Sequence, residues 1–330
     1  MKKVKWGILS TASIAKSVLI PAIKRAENAE GVAIASRGER VHRAAAECGI
    51  PVAYESYDAL LQDANIDAVY IPLPNHLHKE WVIKAAEHGK HVLCEKPVAL
   101  SSEEALEMVR VCKEQKVVFM EAFMYQFHPQ YKRVQELMAS GEIGDIKLVK
   151  GSFSFFMENR EGNIRMNKEM GGGSLFDVGS YCVHAIRSIL NAEPVQVYAQ
   201  AQLDLETKVD TSAYVSMDFE NGIKATFDCS FDMLMRNELE IIGTQGAIKL
   251  PHAYRPDIND GIGEIIIQTN ESTRIEKMAG DIYKAEVEHI SAAILQGTEP
   301  VYPGAESVKN MKVLQACLES IETGEVVQVK

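Results

Sequence analysis

The chain has no apolar run approaching the roughly 18–20 residues needed to cross a bilayer. It also lacks a lysine- and arginine-rich stripe interleaved with aromatics, and its 46 acidic residues outnumber 35 basic ones, for a net charge of −11. Binding to nucleic acid or to an anionic membrane is therefore not expected. No Cys-x-x-Cys pair occurs among the six cysteines (Cys48, Cys94, Cys112, Cys182, Cys229, Cys317), which read as reduced thiols in a chain of 330 residues. His76 and His78, and His88 and His91, are closely spaced, but no cysteine cluster completes a metal set, so no metal is expected. Met1-Lys2-Lys3-Val4-Lys5 leads directly into a strand-like run without an export-type apolar region, so a soluble, cytoplasmic protein is expected. What is present is ordinary globular composition, 46% hydrophobic and 25% charged with 22 Gly and 11 Pro. That length admits two domains.

The first half alternates short apolar runs with helical periodicity. Val4–Leu9, Val32–Ala35, Val52–Tyr54, Ala68–Ile71, His91–Cys94 and Val117–Met120 read as strands. Between them Val41, Ala44, Ala45 and Cys48 fall at helical spacing and stop at Gly49, and Ser101-Ser102-Glu103-Glu104 forms a capping box. Alternating strands and helices imply parallel pairing, hence a doubly wound α/β domain over 1–125. The second half, 126–330, reads as α+β. A helix from about Ser174 to Leu190 precedes extended segments at Val195–Leu205, Ser212–Phe219, Ile223–Phe231, Glu238–Ile242 and Ala247–Leu250. Asn221-Gly222 predicts a type I′ hairpin, and the alternation along Ile223–Phe231 predicts a mostly antiparallel open sheet with one covered face. The other face is wet or meets a partner.

The turn after the first strand, Ser10-Thr11-Ala12-Ser13-Ile14-Ala15, stands where a dinucleotide fingerprint would place its glycines, here Ser10, Ala12 and Ala15. Small residues there let backbone N–H groups approach a pyrophosphate at a helix N-terminus, although Ser and Ala take positive φ less freely than Gly. The turn either cradles a cofactor or is a structural strand–turn–helix unit. The second strand ends at Ser36-Arg37, with Arg40 close behind, where an NAD-binding fold places Asp or Glu. A hydroxyl with guanidinium groups suits a 2′-phosphate, so NADP is preferred with NAD second, unless Arg37 is merely a solvated side chain.

Glu95-Lys96-Pro97 closes the strand His91–Cys94, at the sheet edge where ligands of open α/β sheets lie. With Pro74-Asn75-His76-Leu77-His78, Met120–Pro129, Gly171-Gly172-Gly173-Ser174-Leu175-Phe176-Asp177-Val178-Gly179-Ser180-Tyr181 and Glu240–Gly246, the chain resembles the glucose–fructose oxidoreductase/inositol dehydrogenase (Gfo/Idh/MocA) family end to end. The Tyr at 181 resembles its glucose–fructose oxidoreductase and dimeric dihydrodiol dehydrogenase branch. The resemblance implies a Rossmann domain and a C-terminal α+β domain whose open sheet forms a homodimer or homotetramer. It implies hydride transfer between NAD(P) and a sugar, inositol or related polyol, with Lys96, Asp177 and Tyr181 as the catalytic group. It also implies that Leu73, Pro74, Asn75, His78, Glu95 and Lys96 lie against the cofactor beside Ser10, Thr11, Ala12, Ser13 and Ile14.

Ser174, Asp177, Tyr181 and His184 stand at i, i+3, i+7 and i+10 and are expected on one helix face, which is solvated or walls a cleft. Arg165 and His184, and Gln126 where many relatives carry Arg, are the candidate substrate contacts. Two other functions fit the same architecture: an NAD-assisted glycosidase, and a nucleotide-sensing regulatory protein without turnover.

Overall fold

The computed structural model describes residues 2–330. They divide into two compact units. One runs up to Met124 and includes Tyr283–Val308; the other comprises Tyr125–Ile282 and Lys309–Lys330.

The first unit is built on a six-stranded parallel sheet: β1 (Val4–Leu9), β2 (Ala29–Ala35), β3 (Val52–Tyr54), β4 (Ala68–Ile71), β5 (His91–Cys94) and β6 (Phe119–Glu121). Their order is β3-β2-β1-β4-β5-β6, the doubly wound arrangement that the alternation predicts, reversing between β1 and β4. Every residue of β4 is buried, as a strand covered on both faces requires. The connecting helices are α1 (Ile20–Arg25), entered through a π-helical turn at Ala15–Leu19, α2 (Arg40–Cys48), α3 (Tyr57–Leu61), α4 (His78–Glu87) and α5 (Ser102–Glu114). Helix α2 buries Val41, Ala44, Ala45 and Cys48 and stops at Gly49, whose φ is +60°. The capping box forms at α5: Ser101 Oγ accepts the Glu104 N–H at 3.2 Å, and the Glu104 carboxylate accepts the Leu100 N–H at 3.0 Å.

The second unit begins with α6 (Pro129–Ala139) and β7 (Ile146–Phe156), then a π-helical turn at Leu175–Gly179 that continues as α7 (Ser180–Leu190). Its further strands are β8 (Pro194–Leu203), β9 (Asp210–Phe219), β10 (Lys224–Ser230), β11 (Asp232–Gly243), β12 (Gly246–Leu250), β13 (Ile262–Thr269) and β14 (Thr273–Ala279). After β14 the chain continues with α8 (Ile282–Gln296), which from Tyr283 onward belongs to the first unit, α9 (Gly304–Thr323), which enters the second unit at Lys309, and a short β15 (Val327–Gln328). Nine strands form one sheet in the order β14-β13-β12-β11-β7-β10-β9-β8-β15, antiparallel except for the β7–β10 pair. Strands β13 and β14 have no counterpart in the sequence reading. β14 is an edge strand of alternating charge, Thr-Arg-Ile-Glu-Lys-Met-Ala, held by ion pairs such as Lys277–Glu264 at 2.7 Å. The β9–β10 hairpin also differs from type I′. Of the Asn221-Gly222 pair only Gly222 takes positive φ (+81°), and the Gly222 N–H reaches the Phe219 carbonyl at 3.0 Å. That is a turn closed by one left-handed glycine. No helix among the described residues is long and apolar enough to cross a membrane.

Candidate active site

In the first unit the strand ends carry the cofactor candidates. Ser10, leaving β1, has φ +149°, a region that favours glycine, and its Oγ accepts the Ala12 N–H at 3.0 Å. The serine hydroxyl thus holds a turn that a fingerprint glycine would take without strain. Thr11, Ala12, Ser13 and Ile14 follow, with the Lys16 N–H on the Ala12 carbonyl at 3.2 Å opening the helix. At the tip of β2 the Ser36 N–H is held by the Tyr54 carbonyl at 3.1 Å, while Arg37 and Arg40 are exposed. Tyr57, at the start of α3, was not singled out from sequence. It is half-buried, packs edge-on against Trp81 at 4.9 Å, and lies within the field of Arg37 and hydrogen-bonding reach of Ser10. Burial raises its phenol above the ordinary value, and Arg37 and Ser10 pull the other way.

Beyond β4 and β5 the chain is braced from inside. Leu73 is buried, Pro74 and Asn75 are half-buried, and His78 is fully buried. The His78 ring nitrogens lie 2.7 Å from the Leu73 carbonyl and 3.0 Å from the Pro97 carbonyl. Burial pushes its imidazole down to about 4 against the pull of those carbonyls, so the ring is neutral and donates through one nitrogen. His78, expected against the cofactor, braces two loops through its ring nitrogens. One of those loops carries Lys96, half-buried, with a cis Lys96–Pro97 peptide. Glu95 accepts the Tyr70 hydroxyl at 2.5 Å, and Tyr70 is wholly buried. Glu286 of α8 is buried too; burial and then the Glu95 charge raise its carboxyl well above the usual range.

In the second unit Arg165 Nε donates to Asp177 Oδ2 at 2.6 Å, and the Asp177 charge holds the guanidinium above its usual range. The Tyr181 phenol adds to that effect, which places it within the same electrostatic neighbourhood. Asp177 is 16% exposed and Tyr181 6%, on the π-turn and first turn of the same helix. Tyr181 rests among aromatic rings: Phe153 at 5.2 Å, Tyr125 at 5.8 Å and Tyr254 at 6.0 Å between centroids.

The single polar face expected for this helix does not form. Its first turn is wound as a π-helix, which turns less per residue than an α-helix and so rotates Ser174 away from the face of Asp177 and Tyr181. Ser174 is buried and donates to Asp210 at 2.8 Å. His184 is buried and paired through Nδ1 with the Tyr125 hydroxyl, so it supports the aromatic floor instead of facing a substrate. Gln126 is half-buried, and its Nε2 meets no acceptor among the described residues. Asp210, the first residue of β9, was missed because nothing in its local sequence ties it to residue 174. Its Oδ2 also accepts the Leu175 N–H at 2.7 Å, and burial pushes its carboxyl up to about 6 against these donors.

Residues 4–123 match the model of the oxidoreductase family with an NAD-binding Rossmann fold, and residues 131–249 match the GFO/IDH/MocA C-terminal domain. The chain is 39% identical to D-xylose 1-dehydrogenase (NADP(+)) 2 of Haloferax volcanii, over 98% of this chain and 99% of the relative. It is 30% identical to trans-1,2-dihydrobenzene-1,2-diol dehydrogenase of Xenopus laevis, over 96% and 98% respectively. Among solved structures it is similar to a 3-ketoreductase from Actinomadura kijaniata in complex with NADP and TDP-benzene. There the TM-score is 0.91 at 28% identity, covering 97% of this chain and 98% of that one. With both family models matched and a 39% identical relative aligned over 98% of the chain, this chain belongs to the Gfo/Idh/MocA family of oxidoreductases.

Proposed function

We propose that the protein is an NADP-dependent dehydrogenase or reductase acting on a hydroxyl or carbonyl of a sugar, inositol or related polyol. The observation that carries the reading is Asp177 and Tyr181 on the helix after the Gly run, with Arg165 of the preceding loop on Asp177, in an NAD-binding family member. A carboxylate held by a guanidinium and a phenol one turn further on are the parts that positioning and moving an alcohol proton require. The first unit is read as the dinucleotide-binding domain and the second as the domain for substrate and self-association.

The residues of the first unit fit the dinucleotide. The Ser10 turn supplies a strained, small-residue bend, and the exposed Arg37 and Arg40 with Ser36 offer a hydroxyl and two cations to a 2′-phosphate. Thr11, Ala12, Ser13 and Ile14 offer main chain to the pyrophosphate, and Leu73, Pro74, Asn75, Glu95 and Lys96 border the reacting end. NAD is the second cofactor. When bound, the cofactor supplies the hydride acceptor or donor. Tyr181 takes the proton of the substrate hydroxyl during oxidation and returns it during reduction. A free phenol titrates near 10, so this role needs a positive field. The family resemblance assigns that field to Lys96, and Asp177 is read as orienting the hydroxyl. Arg165 fixes Asp177 and adds its own charge. The NADP and D-xylose named for the Haloferax relative, and the NADP in the Actinomadura structure, support the cofactor and substrate class.

Six buried free thiols support a reducing, cytoplasmic setting. The test is absorbance of reduced nicotinamide with NADP and NAD over aldoses including D-xylose, inositols and aromatic diols. Turnover with NADP in the wild type is expected. Replacing Tyr181 by Phe should lower kcat by roughly 100-fold or more while cofactor affinity holds. Undiminished kcat in that variant refutes the acid–base role.

A further inference from the structure

We propose that Asp210, on a strand outside the helix that bears Asp177 and Tyr181, is a positioning residue for that pair. It does so by tying down the turn at Gly171–Ser174 from which the helix rises. This inference rests on the proton-transfer reading of Tyr181 and Asp177.

The helix that starts after Ser174 lacks its own cap: Ser174 makes no side-chain bond to the N–H groups of the following turn. The acceptor comes from β9 instead. Asp210 Oδ2 takes both the Ser174 hydroxyl at 2.8 Å and the Leu175 N–H at 2.7 Å, which places a negative charge at the positive end of the helix. The carboxylate is 6% exposed and forms no ion pair among the described residues. Cys229 faces it from β10, and its thiol is raised well above the usual range by burial and then by the Asp210 charge.

The bonds around Gly173 show how the anchor reaches the site. Gly173 has φ +117°, and a Cβ there would collide with the Asp210 carboxylate. The Gly173 N–H binds the Arg165 carbonyl at 2.9 Å, and its own carbonyl accepts the Asp177 N–H at 3.0 Å. Arg165 then returns through Nε to Asp177 Oδ2 at 2.6 Å. One buried carboxylate therefore sets the turn on which both members of the Arg165–Asp177 pair hang.

The experiment compares full-length wild type, Asp210→Asn, Ser174→Ala and Tyr181→Phe, using NADP and the aldose or inositol that the wild type turns over fastest. Asp210→Asn should lose roughly 10–100-fold in kcat, the scale of a small misplacement of reacting groups, with NADP Kd unchanged. Amide exchange over residues 174–181 should quicken, while that of α5 should not. Ser174→Ala, which keeps the carboxylate and its Leu175 bond, should show the same pattern more weakly, and it carries the test if Asp210→Asn does not fold. Wild-type kcat in Asp210→Asn, or a kcat loss matched by loss of NADP affinity, overturns the positioning role. Wild-type kcat in Tyr181→Phe overturns the acid–base reading and the inference with it. A slow Tyr181→Phe beside a fast Asp210→Asn overturns the inference alone.

Discussion

Exchanging Asp210 for Asn should change how stability depends on pH, and the size of the change follows from burial. In the folded protein the Asp210 carboxyl titrates at about 6, against 3.8 for an unperturbed aspartate. At about 1.4 kcal/mol per unit, the folded state favours the protonated form by about 3 kcal/mol relative to the unfolded chain. The pKa is raised on folding, so between the two values the folded state binds more protons. That stabilisation is complete below the unfolded pKa and is lost as pH rises through the folded one. The carboxamide that replaces the carboxyl cannot titrate. The stability of Asp210→Asn relative to wild type should therefore rise by about 3 kcal/mol between about pH 4 and pH 7 and then level off. Its absolute offset depends on which bonds the carboxamide keeps, since the Ser174 and Leu175 donors both need an acceptor, but the pH dependence does not. Urea unfolding of both proteins at several pH values measures it. Parallel stability curves would show that the carboxyl is not held in a desolvated site, against the burial described for Asp210.

Further outcomes can be checked with the same preparations. Replacing Arg37 by Ala should raise KM for NADP roughly 10–100-fold, the worth of charge-assisted bonds to a phosphate, with KM for NAD nearly unchanged; parallel shifts in both would remove Arg37 from cofactor choice. Burial holds His78 at about 4, below its unfolded 6.5, so its contribution to stability is whole above pH 6.5 and is lost as pH falls toward about 4. Substituting His78 by Gln should flatten that acid limb in a thermal melt series. The open sheet carries exposed Leu203, Tyr214 and Leu234, and self-association through it predicts a dimer or tetramer by light scattering. Charge substitution at Leu234 should shift that population toward monomer, and a wild-type monomer would refute the assignment.

Much of the architecture was legible because it rests on local chemistry. Burial on both faces made β4 a continuous apolar run. The Gly49 stop and the Ser101–Glu104 box mark helix ends through backbone needs that few residues meet. Strands β13 and β14 escaped because the charges on β14 are satisfied by partners distant in sequence, such as Glu142 for Arg274. Likewise the boundary read at 125/126 is a linear division, whereas the segment Tyr283–Val308 lies in the first unit, and contacts decide membership of a unit.

The site divides the same way. The family resemblance named Lys96, Asp177 and Tyr181, through motifs that lie at a strand end and along one helix. Periodicity could not anticipate that Ser174 would pair with Asp210 and His184 with Tyr125, nor that His78 would give its ring to two carbonyls. Offsets along a chain record which groups one element presents. Which group is desolvated, and which distant partner completes its hydrogen bonds, is settled only when the elements pack.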